Sequence, residues 1–165
     1  MIRPVKPTDA TAIAEIYNHY IHTSISTFEL APIDAVEMEK RINAYSPKYP
    51  WLVYEENDKV LAYAYSSPWK ARKAYKHSVE SSVYLHHQAF GRGIGTTLYT
   101  QLMDELRAID IHAVIGGISL PNPASIALHE KLGFEKIGQF TQVGRKFDQW
   151  IDVGYWELIM SEKSK

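Results

Sequence analysis

The sequence predicts a single α/β domain, residues 1–165, built on a mixed and mostly antiparallel central sheet flanked by helices. Three observations predict it. No repeat, linker or low-complexity tract interrupts the 165 residues, a length that buries one proper core. Segments patterned as strands outnumber those patterned as helices, and the two kinds are interleaved. One run, residues 78–120, reads strand, glycine loop, helix, strand, which is the form of a parallel crossover.

The elements follow in chain order. Residues 2–6, IRPVK, read as a first strand, and Thr8 or Asp9 is placed to cap a helix carrying Ile13, Ile16, Tyr17 and Tyr20 on one face. A second helix is expected over 33–44, ending before Pro47. WLVYEENDKVLAYAYSS reads as two strands joined at Asn57-Asp58, with Pro68 closing the second and opening the polar loop WKARKAYKH. In the next strand, 78–85, Val79, Ser81, Val83 and Leu85 point to one face, and Ser78, Glu80, Ser82 and Tyr84 to the other. After the glycines, a helix from Gly93 sets Leu98, Leu102, Leu106 and Ile109 on one face. HAVIGGISL is another strand. A short helix then starts at Asn122 or Ser125 and stops at Gly133, and FEKIGQFTQVG and WIDVGYWELIM supply two last strands.

Composition narrows the function. Eighteen Lys and Arg against 19 Asp and Glu leave a formal net charge of −1, which argues against a dedicated nucleic-acid binder. The absence of cysteine excludes disulfides, thiolate metal sites and a cysteine nucleophile. The seven histidines form no HExxH pair, so no metal is expected. No apolar run reaches the length of a membrane span, and MIRPVKPTDATAI lacks the apolar core of a signal peptide, so a cytoplasmic protein without membrane contact is the default expectation.

Gly91, Gly93 and Gly95 stand at alternate positions where a helix should begin. A helix N-terminus carries unpaired N–H groups and partial positive charge, and glycines let that backbone approach an anion such as a phosphate. A tight turn packed for steric reasons is the other reading of such a run. Gly95 is followed by Thr96-Thr97, so this is no P-loop, and the third glycine comes one residue too early for the dinucleotide fingerprint.

Gln88-Ala89-Phe90-Gly91-Arg92-Gly93 instead has the form Q/R-x-x-G-x-G/A, directly after a strand and opening a helix. NPASIALHEKLGF, from Asn122, follows it with the pattern Asn…Ser-x-x-Leu-x-x-x-x-Gly-Phe. In this order the two motifs resemble the signatures of the GNAT superfamily of N-acetyltransferases. NHYIHTS, YPWLV, PWKAR, VESSVY, LYTQL, LPNPAS, LHEKLGF and DVGYW make the chain, over residues 2–156, similar to the phosphinothricin and methionine sulfoximine N-acetyltransferase group.

The resemblance implies the GNAT fold, acetyl-CoA as cosubstrate, a small amino-acid-like substrate and a homodimer. It assigns the cofactor to Val83, Tyr84 and Leu85, to the loop Gly91, Arg92, Gly93, Ile94, Gly95 and Thr96, and to Asn122. The exposed edge of the strand would pair with the pantetheine amides. Substrate contacts are implied at Lys70, Ala71, Arg72, Glu80, Ser81, Ser82 and Phe28, with packing an equal reading of Phe28. Glu80 interrupts a strand of apolar and small residues, and burial would raise its pKa into the range of a general base; a solvated strand face or a structural ion pair is the alternative. His129 stands where many acetyltransferases of the superfamily carry a tyrosine acid, and its imidazole can carry a proton near neutral pH. Its role, and that of a basic loop able to fork onto a carboxylate or phosphinate, stay as expectations. Without a cysteine or a serine with an obvious His/Asp partner, direct attack is expected rather than an acyl-enzyme. Two other readings stand beside this one: acetylation of a different amine, such as a protein N-terminus or polyamine, and a CoA-binding module without turnover.

Overall fold

Strand alternation and one crossover assemble a seven-stranded sheet in the computed structural model, which describes residues 1–160. Its strands are β1 (Ile2–Pro4), β2 (Trp51–Glu56), β3 (Lys59–Pro68), β4 (Ser78–Leu85), β5 (Ala113–Ser119), β6 (Glu135–Lys146) and β7 (Gln149–Ile159), in the spatial order β1-β2-β3-β4-β5-β7-β6. Only β4 and β5 pair in parallel. The helix between them, α3 (Ile94–Ala108), completes the expected crossover.

The pleat sends alternate residues to two separate cores. On one face α1 (Ala10–Thr23) and α2 (Ala35–Tyr45) cover Trp51, Val53 and Tyr63. On the other, α3 buries Leu98, Leu102 and Leu106 against Leu52, Ala62, Ala64, Val79 and Val114. The short helix α4 (Pro123–Lys131) begins at Asn122, whose Oδ1 accepts from Ser125 N–H at 3.1 Å. Asn57 and Asp58, with φ of 51° and 59°, make the tight turn between β2 and β3.

Four local expectations are corrected. Asp9 does not cap α1 through its side chain: its carboxylate is taken by Arg3 and by Lys6 N–H at 2.7 Å, and a 3-10 turn over Pro7–Asp9 leads into the helix instead. Ile109 lies beyond the end of α3 and is 44% exposed, because the helix stops one residue short of completing that stripe. The second helix begins after Asp34, whose Oδ1 caps Glu37 N–H at 2.8 Å. The last hairpin turns at Phe147-Asp148, with φ of 52° and 58°, so β6 runs two residues further than the sequence indicated. A phenylalanine at positive φ gives no turn signal to read.

That long hairpin holds the segment after α1. Lys146 is 3% exposed, and its Nζ donates to the Ser24 and Thr27 carbonyls at 2.7 and 2.8 Å. Phe28, next in the segment, lies on Gly144, where a Cβ would collide with its ring. Lys146→Met keeps the apolar stem and leaves both carbonyls without their donor. The expected cost is about 1–3 kcal/mol, seen as a lower urea midpoint at unchanged slope.

Candidate active site

The sheet opens at its middle. β4 and β5 pair only over Ser78↔Ala113, Val79↔Val114 and Glu80↔Ile115. Beyond these, β4 stays with β3 as far as Leu85, while β5 goes with β7 as far as Ser119. A cleft of about 490 Å3 fills the splay; Ser81, Ser82, Val83, Gly91, Gly93, Asn122 and His129 are among its wall residues.

Backbone direction alternates along β4. His77 C=O accepts from His112 and Ala113 N–H, whereas Ser78 C=O accepts from Trp69 N–H. Odd-numbered residues therefore turn their amides toward β5 and even-numbered ones toward β3. Val83 presents its N–H and C=O to the opening. Tyr84 lines the cleft but points those groups at β3, so pairing a ligand's amides is not open to it. Leu85 faces the opening, yet the Tyr20 hydroxyl donates to its C=O at 2.7 Å and accepts from its N–H at 3.2 Å. Sequence reading placed Tyr20 on a buried face and gave no signal of this contact.

The glycine loop ends in a cradle. Gly91 and Gly93 have φ of +70° and +75°, and a Cβ at either would meet nothing within 4 Å, so open space lies over both. Gly93 is the cap of α3, and the first helical bond runs from Thr97 N–H to its carbonyl at 3.0 Å. The N–H groups of Ile94, Gly95 and Thr96 are thus left for an anion. Two residues assigned to the cofactor turn their side chains elsewhere. Arg92 reaches Glu56 at 2.7 Å and the Gln88 carbonyl at 3.1 Å, and Ile94 is buried in the α3 core. Only their main chain belongs to the loop.

Glu80 lies half-buried on the α1/α2 face. Burial pushes its carboxyl pKa up, and the positive charge of Lys70 pulls against that shift. Ser82 shares this face. Lys70 Nζ sits 4.6 Å from the Trp69 ring centre, and Trp69 meets Tyr155 edge-on at 5.9 Å. Lys70, Ala71 and Arg72 are exposed, and Arg72 has no ion-pair partner among the described residues. Phe28, bound to Gly144, is not part of the cleft wall.

His129 lies on the opposite face, 4% exposed. Its Nδ1 donates to the Ser125 carbonyl at 2.7 Å, and Tyr99 OH lies 3.2 Å from Nε2. Burial lowers the imidazole pKa, so the neutral ring is favoured. The adjacent pair Gly116-Gly117 in β5 makes room for both groups. A Cβ at Gly116 would stand 2.6 Å from His129 Nε2, and one at Gly117 would stand 3.5 Å from Glu80 Oε1. A carboxylate and an imidazole thus flank one opening from the two sides of the sheet. The GG pair inside a strand was the available sequence signal, since strand glycines mark close approach. Tyr99 carried only a weak one, a polar ring amid the leucines of α3.

A larger hollow of about 910 Å3 lies at the start of α1; of its charged lining, Arg3, Asp9 and Glu55 are joined in ion pairs, while Glu15, Asp58 and Lys59 are in none among the described residues. No group of three or more His, Asp or Glu suited to a metal occurs among the described residues, and no described helix is long and apolar enough to cross a membrane.

A parallel crossover with a glycine-capped helix, over a sheet split beside a half-buried carboxylate, defines a class, and the comparisons give its name. Residues 2–154 match the acetyltransferase (GNAT) domain, and the chain belongs to that family. It is 41% identical to the phosphinothricin N-acetyltransferase of Streptomyces viridochromogenes, over 94% of this chain and 85% of that one. It is 37% identical to the L-methionine sulfoximine/L-methionine sulfone acetyltransferase of Salmonella typhimurium, over 98% and 95% of the two chains. Among solved structures, the phosphinothricin acetyltransferase of Sinorhizobium meliloti in complex with acetyl-CoA superposes with a TM-score of 0.94 at 34% identity, covering 98% of this chain and 89% of that one.

Proposed function

We propose that this N-acetyltransferase moves the acetyl group of acetyl-CoA to the α-amine of a small amino-acid-like substrate of the phosphinothricin, methionine sulfoximine and methionine sulfone type. The observation that carries the reading is the split between β4 and β5. It opens a cleft from the anion cradle at Gly93 to Gly117, and the half-buried Glu80 carboxylate, itself outside the cleft wall, lies beside Gly117.

The residues present fit the cosubstrate. Gly91 and Gly93 leave open space over the α3 N-terminus for a diphosphate, and Val83 offers one amide and one carbonyl to a pantetheine arm. Bound there, acetyl-CoA supplies an activated acyl group. The chain supplies the rest. Glu80, its pKa raised by burial, takes a proton from the substrate ammonium directly or through water. Lys70, near enough for its charge to act on Glu80, and Arg72 of the same exposed loop are the cations offered to the substrate's acidic groups. Direct attack follows, since the chain has no cysteine to carry the acetyl group.

The test is free-thiol release by the purified protein with acetyl-CoA and a panel of phosphinothricin, methionine sulfoximine, methionine sulfone, ordinary amino acids and polyamines. Turnover confined to the first three supports the proposal, and turnover confined to polyamines or absent throughout rejects it. A homodimer belongs to the same reading. The β6–β7 hairpin exposes Ile137, Phe140, Val143, Phe147 and Trp150, and sedimentation equilibrium gives the mass that checks it.

Gly93→Ala tests the cradle. A side chain at φ +75° costs about 1–2 kcal/mol, while the open space rules out a clash. Calorimetric titration with coenzyme A should show about 5–30-fold weaker binding if that strain is relieved by closing the loop.

A further inference from the structure

A chain of three side chains runs from the cleft wall into the α3 core. Ser81 Oγ lies 2.5 Å from Tyr99 OH, and Tyr99 OH lies 3.2 Å from His129 Nε2. All three are buried: Ser81 is 4% exposed, Tyr99 0% and His129 4%. Ser81 and His129 are also wall residues of the cleft. The Tyr99 ring stacks on Phe134 at 5.9 Å, and His129 meets Phe134 edge-on at 5.0 Å, so the rings have fixed orientations.

The far end sets the direction of the chain. The Ser125 carbonyl can only accept, so His129 Nδ1 carries a hydrogen and Nε2 is the ring's variable position. With the imidazole neutral, Nε2 accepts from Tyr99 and Tyr99 accepts from Ser81. With the imidazole protonated, every bond reverses, and Ser81 is left with its hydrogen free for the cleft. Serine hydroxyls rotate at little cost, so both settings use the same heavy-atom positions.

We propose that Ser81, Tyr99 and His129 form a proton relay that serves the departing sulfur of coenzyme A. Ser81 is the catalytic donor, and Tyr99 is the positioning residue that couples it to the imidazole. The proposal rests on the acetyl-transfer reading above. As the acyl carbon–sulfur bond breaks, the sulfur keeps the electron pair and takes the Ser81 proton. Ser81 takes the Tyr99 proton, and Tyr99 takes the proton of His129 Nε2. His129 ends neutral, its Nδ1–H still on the Ser125 carbonyl. The resting ring is neutral, so the proton comes from the substrate: as its nitrogen attacks, the ammonium releases one proton to solvent through Glu80, and the second enters the relay at Ser81 and leaves His129 as the imidazolium that the departing sulfur then discharges. This arrangement gives the Ser81 side chain a role of its own, on the face of β4 opposite Glu80.

Tyr99→Phe keeps the ring stack and deletes the hydroxyl. Steady-state kinetics with acetyl-CoA should show kcat reduced by roughly 100-fold or more, within the span of general acid catalysis, with KM for acetyl-CoA unchanged. The solvent deuterium effect on kcat should also differ from that of the parent. Nitrogen-15 NMR of His129 reads the relay without turnover. The parent should show hydrogen on Nδ1 and a hydrogen-bonded, unprotonated Nε2, and Tyr99→Phe should shift the Nε2 resonance alone. If Tyr99→Phe does not fold, Ser81→Ala interrupts the chain one bond earlier and carries the same kinetic expectations. Parental kcat and isotope effect in the folded variant, or hydrogen on Nε2 in place of Nδ1, overturn the relay. A parent protein inactive with every amine defeats the acetyl-transfer reading instead, and the NMR result then decides the relay by itself.

Discussion

Glu80→Gln is expected to lower kcat/KM for the amine by about 10²–10⁴-fold, the usual contribution of a positioned base, while coenzyme A binds as before. The amide keeps the shape and size of the side chain and removes the proton acceptor. The parent should lose activity as pH falls through the raised carboxyl pKa, because only the carboxylate accepts a proton. That acid limb, measured on kcat/KM, should vanish in the variant. Stability moves the other way. Burial raises the pKa in the folded chain, so ionising Glu80 works against folding at neutral pH. The glutamine variant should be the more stable above the raised pKa, and the difference should fade as pH drops from there into the ordinary glutamate range. Denaturant midpoints at pH 7 and pH 4 measure this; equal midpoints at pH 7, with activity intact, would remove Glu80 from the mechanism.

Gly116→Ala should have the second large effect. A methyl group there would stand 2.6 Å from His129 Nε2 and 2.7 Å from Cδ2, and the only open side left to the imidazole is the cleft, away from its hydrogen-bond partners. Ser125, Tyr99 and Phe134 hold it on its other sides. Overpacking of this kind costs about 1–3 kcal/mol, and the ring must leave its hydrogen bonds to relieve it. Loss of most turnover and a lower denaturant midpoint are expected together. Gly117→Ala is the control, since its nearest contacts would be 3.3 Å from Tyr155 and 3.5 Å from Glu80. If both alanine variants match the parent, the imidazole is not held as described.

The order of strands and helices was legible because burial writes itself into period and alternation. Val79 to Leu85, the leucines of α3 and the Asn57-Asp58 turn are such records. The glycine loop was legible for a related reason, since positive φ at Gly91 and Gly93 restricts the residue type. Contacts set by tertiary approach were not. The Tyr20 hydroxyl meets Leu85 across 65 positions, and Lys146 reaches Ser24 across 122, with no local pattern to announce either. Nor could the partner of the Arg92 side chain be read, since Glu56 lies 36 positions away, at the end of another strand. Ser81 and Tyr99 were each visible, but their meeting depends on how α3 lies across β4.

A slot lined from both faces of a sheet, by Ser82 and Tyr84 on one and Val83 and His129 on the other, offers two reactants a side each. Under the proposed function either reactant should dock or depart while the other stays, and product-inhibition patterns check it. A tethered compound, with an amino-acid head on the Glu80 side and a nucleotide tail at Gly93, would gain from both anchorages at a high effective concentration. Its grip should exceed that of either half by far more than their contact areas suggest.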